Sequence, residues 1–115
     1  MKPEGHLARA EEIERSIQVL VSDDAEAHVA TIVEGVYGAA QHYVAYGMQR
    51  QAGRHVDGHL GLIRALNDAG LTGVATAFDR LERLRARNWY GGQANGTSAR
   101  DALEILDEVK RWSPA

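Results

Sequence analysis

The chain contains no cysteine, which excludes disulfides and every thiolate metal site and fits a reducing interior. It also lacks a long hydrophobic run. The longest apolar-rich stretch, Val29 to Tyr46, is broken by Glu34, Gln41 and His42, so nothing in it reads as a membrane span. Met1 to Gly5 is polar and shows no signal-peptide pattern, and the expected location is the cytoplasm. An excess of positive charge is missing as well: the formal charge is −3 and the pI is near 5.9. That balance argues against the broad attraction that gives most nucleic-acid binders their sequence-independent affinity, although a local basic strip stays open. Strand-like alternation, internal repeats and low-complexity tracts are absent too.

What is present is an ordinary globular composition, with 44% hydrophobic and 25% charged residues, which rules against a disordered or fibrous chain. A length of 115 residues fits one domain, residues 1–115, around one core. Leu7, Ile13, Ile17, Leu20 and Val21 recur at helical spacing, with Glu11, Glu12 and Arg15 between them. This predicts a first helix from Gly5 to Val21. Ser22-Asp23-Asp24 supplies a capping side chain and negative charge for the start of a second. That second helix carries Ala25, Val29, Ile32, Val33, Val36, Ala40, Tyr43 and Val44 on one stripe. A further strip of Thr31, Gly35, Ala39, His42 and Tyr46 is small or aromatic, which predicts burial on two faces.

Gln49 to Arg54 reads as a connection. Val56, Leu60, Ile63 and Leu66 then mark a third helix that stops at Gly70, a residue suited to the left-handed position just past a helix end. Thr72-Gly73 opens a fourth helix with Val74, Ala77, Phe78, Leu81 and Leu84 on its apolar arc, closing at Gly91. After a loop to Thr97, Ser98 and Asp101 resemble a capping box. The fifth helix turns Ala102, Leu103, Leu106, Val109 and Trp112 to the core. The expected fold is all-α, an antiparallel up-and-down bundle of about five helices joined by short connections.

Stepping the fourth helix at about 100° per residue places Arg85 and Asn88 inside its apolar arc. A guanidinium there must meet an acid, a backbone carbonyl, a cleft or a partner subunit, because burying it unpaired costs on the order of several kcal/mol. Arg80, Arg83 and Arg87 form a neighbouring stripe that, with Trp89 and Tyr90, offers cations and stacking rings to single-stranded RNA. Asp79 and Glu82 dilute it, and a solvated surface is the plainer reading. His55 and His59 have the i, i+4 spacing of a helical metal pair, but a third ligand is wanting, so no metal is expected. His28 and His42 share one side of the second helix, where packing is the ordinary role. Gly91-Gly92-Gln93 lacks the lysine and the strand context of a phosphate-binding loop, and no cofactor is expected.

Three segments together resemble the HEPN domain superfamily, small helical bundles found beside nucleotidyltransferases, in toxin–antitoxin pairs and in RNA processing. Tyr37-Gly38-Ala39-Ala40-Gln41-His42 looks like the second-helix pattern of that family. His59-Leu60-Gly61-Leu62-Ile63-Arg64-Ala65-Leu66 is similar to its His-led third helix. Leu84-Arg85-Ala86-Arg87-Asn88-Trp89-Tyr90-Gly91 resembles the end of its fourth. The likeness spans about Glu26 to Trp112, and the order of the segments is right. It implies a homodimer with the fourth-helix motif near a cleft between subunits.

Ribonuclease members of that superfamily use Arg-x4–6-His. Arg85 or Arg87 would fill the arginine role, but no histidine follows, and Tyr90 stands nearest its place from Arg85. A phenol, with a pKa of about 10, is poor at moving protons near neutral pH. The expected function is therefore a non-catalytic, dimeric binding module. It would engage RNA or a nucleotidyltransferase-type protein through Arg85, Arg87, Asn88, Trp89 and Tyr90. The rival is a divergent, metal-independent ribonuclease in which Arg85 stabilises phosphate charge and His59 or His42 moves protons. A third reading is a purely structural dimeric interaction protein.

Overall fold

The computed structural model describes residues 1–56, 61–88 and 96–113. Among these it is all-helical, with α1 (Pro3–Asp24), α2 (Val29–Ala52), α3 (Leu62–Asp68), α4 (Thr72–Ala86) and α5 (Gly96–Trp112). None of the helices is long and apolar enough to cross a membrane among the described residues.

Pro3 opens α1 in its first turn, where a missing N–H costs nothing and the fixed φ suits the helix. The helix then runs three residues past the expected stop at Val21. Asp24, expected to cap the next helix, instead closes a turn: its Oδ1 accepts the backbone N–H groups of Glu26 at 3.1 Å and Ala27 at 3.3 Å. The start of α2 is thereby delayed to Val29, with His28 before it.

α2 is the central element and packs against α1, α4 and α5. Its buried residues include Ile32, Val33 and Val36 and, around the cylinder, Ala39, Tyr43 and Tyr46. Burial on more than one face therefore holds, although Thr31, on the second strip, is exposed. α2 also continues through the segment expected to be a connection and ends at Gly53, whose φ of 66° is left-handed. The polar residues Gln49, Arg50 and Gln51 extend it because they carry no helix-breaking feature; glycine, not polarity, ends the helix.

The end of α3 matches expectation. Gly70 has φ 78°, and the N–H groups of Gly70 and Leu71 bond the carbonyls of Asn67 at 3.0 Å and Leu66 at 2.9 Å. This is the six-to-one, five-to-two pairing of a Schellman motif. Ser98 lies inside α5 rather than at its start, so it is not the helix cap. The core joins Ile17 of α1, Met48 of α2, Leu66 of α3, Phe78 and Leu81 of α4 and Ile105, Leu106 and Val109 of α5.

Candidate binding site

The arginine expected in an apolar arc is where α4 crosses the first turns of α2. Arg85 donates from Nε to Glu34 Oε1 at 2.8 Å, and its guanidinium carbon stands 4.5 Å from the Tyr37 ring centroid. A cation over an aromatic face adds roughly 0.5–1 kcal/mol at a partly exposed site. The Tyr37 hydroxyl donates in turn to Glu82 Oε1 at 3.0 Å, one turn back on α4. Two carboxylates, one cation and one phenol thus tie α2 to α4 at the rim of the core.

The electrostatics follow from that geometry. The hydrogen bond to Glu34 pushes the Arg85 pKa further up, with burial acting against it. Burial first, then donation to the Glu82 carboxylate, raises the Tyr37 phenol well above its ordinary value. The Arg85 and Glu34 side chains are 34% and 36% exposed, so solvent screens the pair and its net worth stays near that of a surface ion pair, about 1 kcal/mol or less.

Past Ala86 the chain takes a wider turn, of π type, that carries Arg87 and Asn88. Asn88 donates from Nδ2 to the Ala30 carbonyl at 3.1 Å, which fastens the end of α4 to the start of α2. Its Oδ1 is buried and has no hydrogen-bond partner among the described residues, an arrangement that costs roughly 1–3 kcal/mol. Asn88 also lines a cleft of about 370 Å³ with Ala30, Thr31 and Glu34. Arg87 is exposed and borders a smaller hollow of about 150 Å³ with Arg80, Arg83, Leu84, Asp101 and Ile105.

The arginine stripe is largely committed to carboxylates. Arg83 meets Asp79 at 3.0 Å, and Arg80 meets Glu108 at 3.5 Å. Trp89 and Tyr90, expected to stack bases, and His59, expected as a proton carrier, lie outside the described residues.

His42 is not beside Arg85. It sits eight residues after Glu34, roughly 12 Å further along α2 at 1.5 Å per residue. There its Nδ1 lies 2.9 Å from Nδ1 of His6. His28 bonds Asp23 Oδ2 at 2.7 Å in the connection before α2. His55 lies near the His6 ring, at 6.4 Å between centroids. Among the described residues, no group of three or more histidine, cysteine or carboxylate side chains converges to hold a metal ion.

Two contributors were not picked from the sequence. Glu34 registers there only as an interruption of an apolar run, yet on the helix it lies one turn before Tyr37, which is what lets Arg85 reach both. His6 falls on the stripe of Ala10, Ile13 and Ile17, so its burial at 2% exposure was readable from spacing, but a polar imidazole is not ordinarily counted with the core. No family model, curated protein or solved structure matches this chain.

Proposed function

We propose that the chain is a dimeric, non-catalytic binding module of HEPN-like kind. It engages its partner where the end of α4 crosses the start of α2. The observation that carries this reading is the Asn88 carboxamide: one arm holds the Ala30 carbonyl and the other is a buried acceptor with no donor among the described residues, at the wall of a cleft. A partner that brings an N–H or O–H group and shifts the cleft wall enough to reach this buried oxygen would complete it.

The partner is a protein rather than RNA. The net charge is negative, and Arg80, Arg83 and Arg85 each face a carboxylate, which leaves little free cation for phosphates. A nucleotidyltransferase-type chain is the class that the resemblance names. Ribonuclease chemistry would need an imidazole beside Arg85, and His42 is occupied with His6 further along α2.

The test is light scattering followed by capture from a lysate, on the wild type and on Asn88→Arg, which fills the cleft with a long cation. The expected result is twice the monomer mass for the wild type, and a captured protein that the variant fails to hold. A monomer with no capture, or capture equal in the variant, contradicts the proposal, as does tight binding of labelled RNA at physiological salt.

A further inference from the structure

Three of the five histidines gather where α1 begins, and the α4–α2 site uses none of them. His6, 2% exposed, and His42 meet through their Nδ1 atoms at 2.9 Å, across 36 residues of chain. Their ring centroids are 5.2 Å apart, and the His55 ring lies 6.4 Å from that of His6. We infer that His6 and His42 form an acid-sensitive latch, which holds the first turns of α1 on α2 and releases them when both imidazoles are charged.

The proton count makes the contact conditional. An Nδ1-to-Nδ1 bond holds one proton, given by one ring and accepted by the other. The donor ring can take a further proton at Nε2 and keep the bond. The acceptor ring already carries its own proton on Nε2, so a second can enter only at Nδ1. That places two N–H groups and two positive charges face to face in the part-buried α1–α2 contact, where His6 is shielded from water.

The neighbours push the same way. Burial first, then the His6 ring and then Arg9, one turn along α1, make His42 hold its proton less readily than an ordinary imidazole. His55, on the segment leaving α2, bonds Gln49 Oε1 through Nδ1 at 3.3 Å and adds a third imidazole beside His6. Asp57 and His59, next in the chain, lie outside the described residues.

The sign is fixed by linkage. The folded-state pKa of His42 is depressed below 6.5, so the opened form binds more protons in the window between the two values. The latch is fully closed above about pH 6.5 and loses its hold as pH falls through that window. Leu7, next to His6, walls a groove of about 480 Å³ with Glu11, Glu14, Tyr43 and Lys110. Release of this turn would therefore withdraw Leu7 from the wall of that groove.

The test is amide hydrogen exchange on the full chain at about pH 7.5 and about pH 5, corrected for intrinsic rates. The expected result is a rise of roughly fivefold or more in opening of the first three turns of α1, with α4 unchanged. His6→Gln and His42→Gln keep a hydrogen-bonding amide but cannot titrate, and each removes the dependence. Should either variant fail to fold, imidazole NMR titration of the wild type decides: one of the two rings then titrates well below the other. Independent titration of both rings near 6.5, or α1 exchange that is equal at the two pH values, overturns the latch.

Discussion

Arg85 owes its position to partners supplied by α2, and removing it tests how much each is worth. Arg85→Ala loses the Glu34 pair, the cover over Tyr37 and aliphatic packing together, for an expected loss of about 1–2 kcal/mol in urea unfolding. Glu34→Gln keeps the shape and loses only charge, for about 0.5 kcal/mol. A double-mutant cycle should return a coupling of roughly 0.5–1 kcal/mol that shrinks at high salt. A coupling near zero would mean that the contact is mere proximity. At Asn88 the expectation differs. Asn88→Ala frees the Ala30 carbonyl but also removes the orphaned Oδ1, so stability changes by less than about 1 kcal/mol, whereas partner capture falls. A loss of several kcal/mol in that variant would mark the carboxamide as structural only.

At the scale of helices, the glycines of α2 record how closely its neighbours approach. A Cβ added at Gly47 would stand 2.6 and 2.8 Å from Trp112 ring atoms and 3.1 Å from Ser113 Cβ, while one at Gly38 would meet only Ile13 Cδ1 at 3.7 Å. Both sites gain about 1 kcal/mol of helix propensity on substitution by alanine. Gly38→Ala should therefore stabilise the fold by roughly 0.5–1 kcal/mol. Gly47→Ala must displace a large ring at the end of α5 and should destabilise it by about 1–3 kcal/mol. Chemical denaturation of the two variants checks both signs, and equal behaviour would show that α5 does not seat on Gly47.

The same scale shows what was legible in the sequence. Periodicity located the elements because burial imposes a 3.6-residue repeat, and Gly70 marked a stop because its left-handed φ is a backbone requirement. Boundaries were displaced where nothing local announces them: α2 runs through Gln49–Ala52 because polar residues do not end a helix, and α5 starts before Ser98. The arc containing Arg85 and Asn88 was readable from one helix alone. Their partners Glu34 and the Ala30 carbonyl were not, because a pairing across 51 or 58 residues depends on how two helices cross. The pairing of His6 with His42, across 36 residues, was hidden for the same reason.

Across the whole molecule, phenols at two of the helix contacts make stability depend on alkaline pH. Tyr43 donates to Glu14 Oε1 at 2.6 Å, and Glu14 Oε2 in turn accepts from Lys110 Nζ at 2.7 Å, which joins α1, α2 and α5. Burial first, then the adjacent carboxylate, raises both Tyr37 and Tyr43 above the ordinary phenol value of 10.0. In the unfolded chain both ionise near 10, so the folded state holds protons that the unfolded state has lost. The stability they contribute is fully present below about pH 10 and is lost as pH rises toward the folded-state values. Ultraviolet phenolate titration should show these two of the four tyrosines ionising only on unfolding. Tyr43→Phe should flatten part of the alkaline loss measured by denaturant, and ordinary titration of all the tyrosines would refute the buried network.

On the proposed function this bundle binds rather than cuts, with Arg85 engaged by Glu34 instead of a scissile phosphate. The most direct measurement is incubation of the purified protein with labelled RNA, with and without chelator, beside Arg85→Ala shown by circular dichroism to be folded. The expected result is intact RNA in every lane. Cleavage by the wild type that persists with chelator and disappears in Arg85→Ala would contradict it and make the chain a ribonuclease.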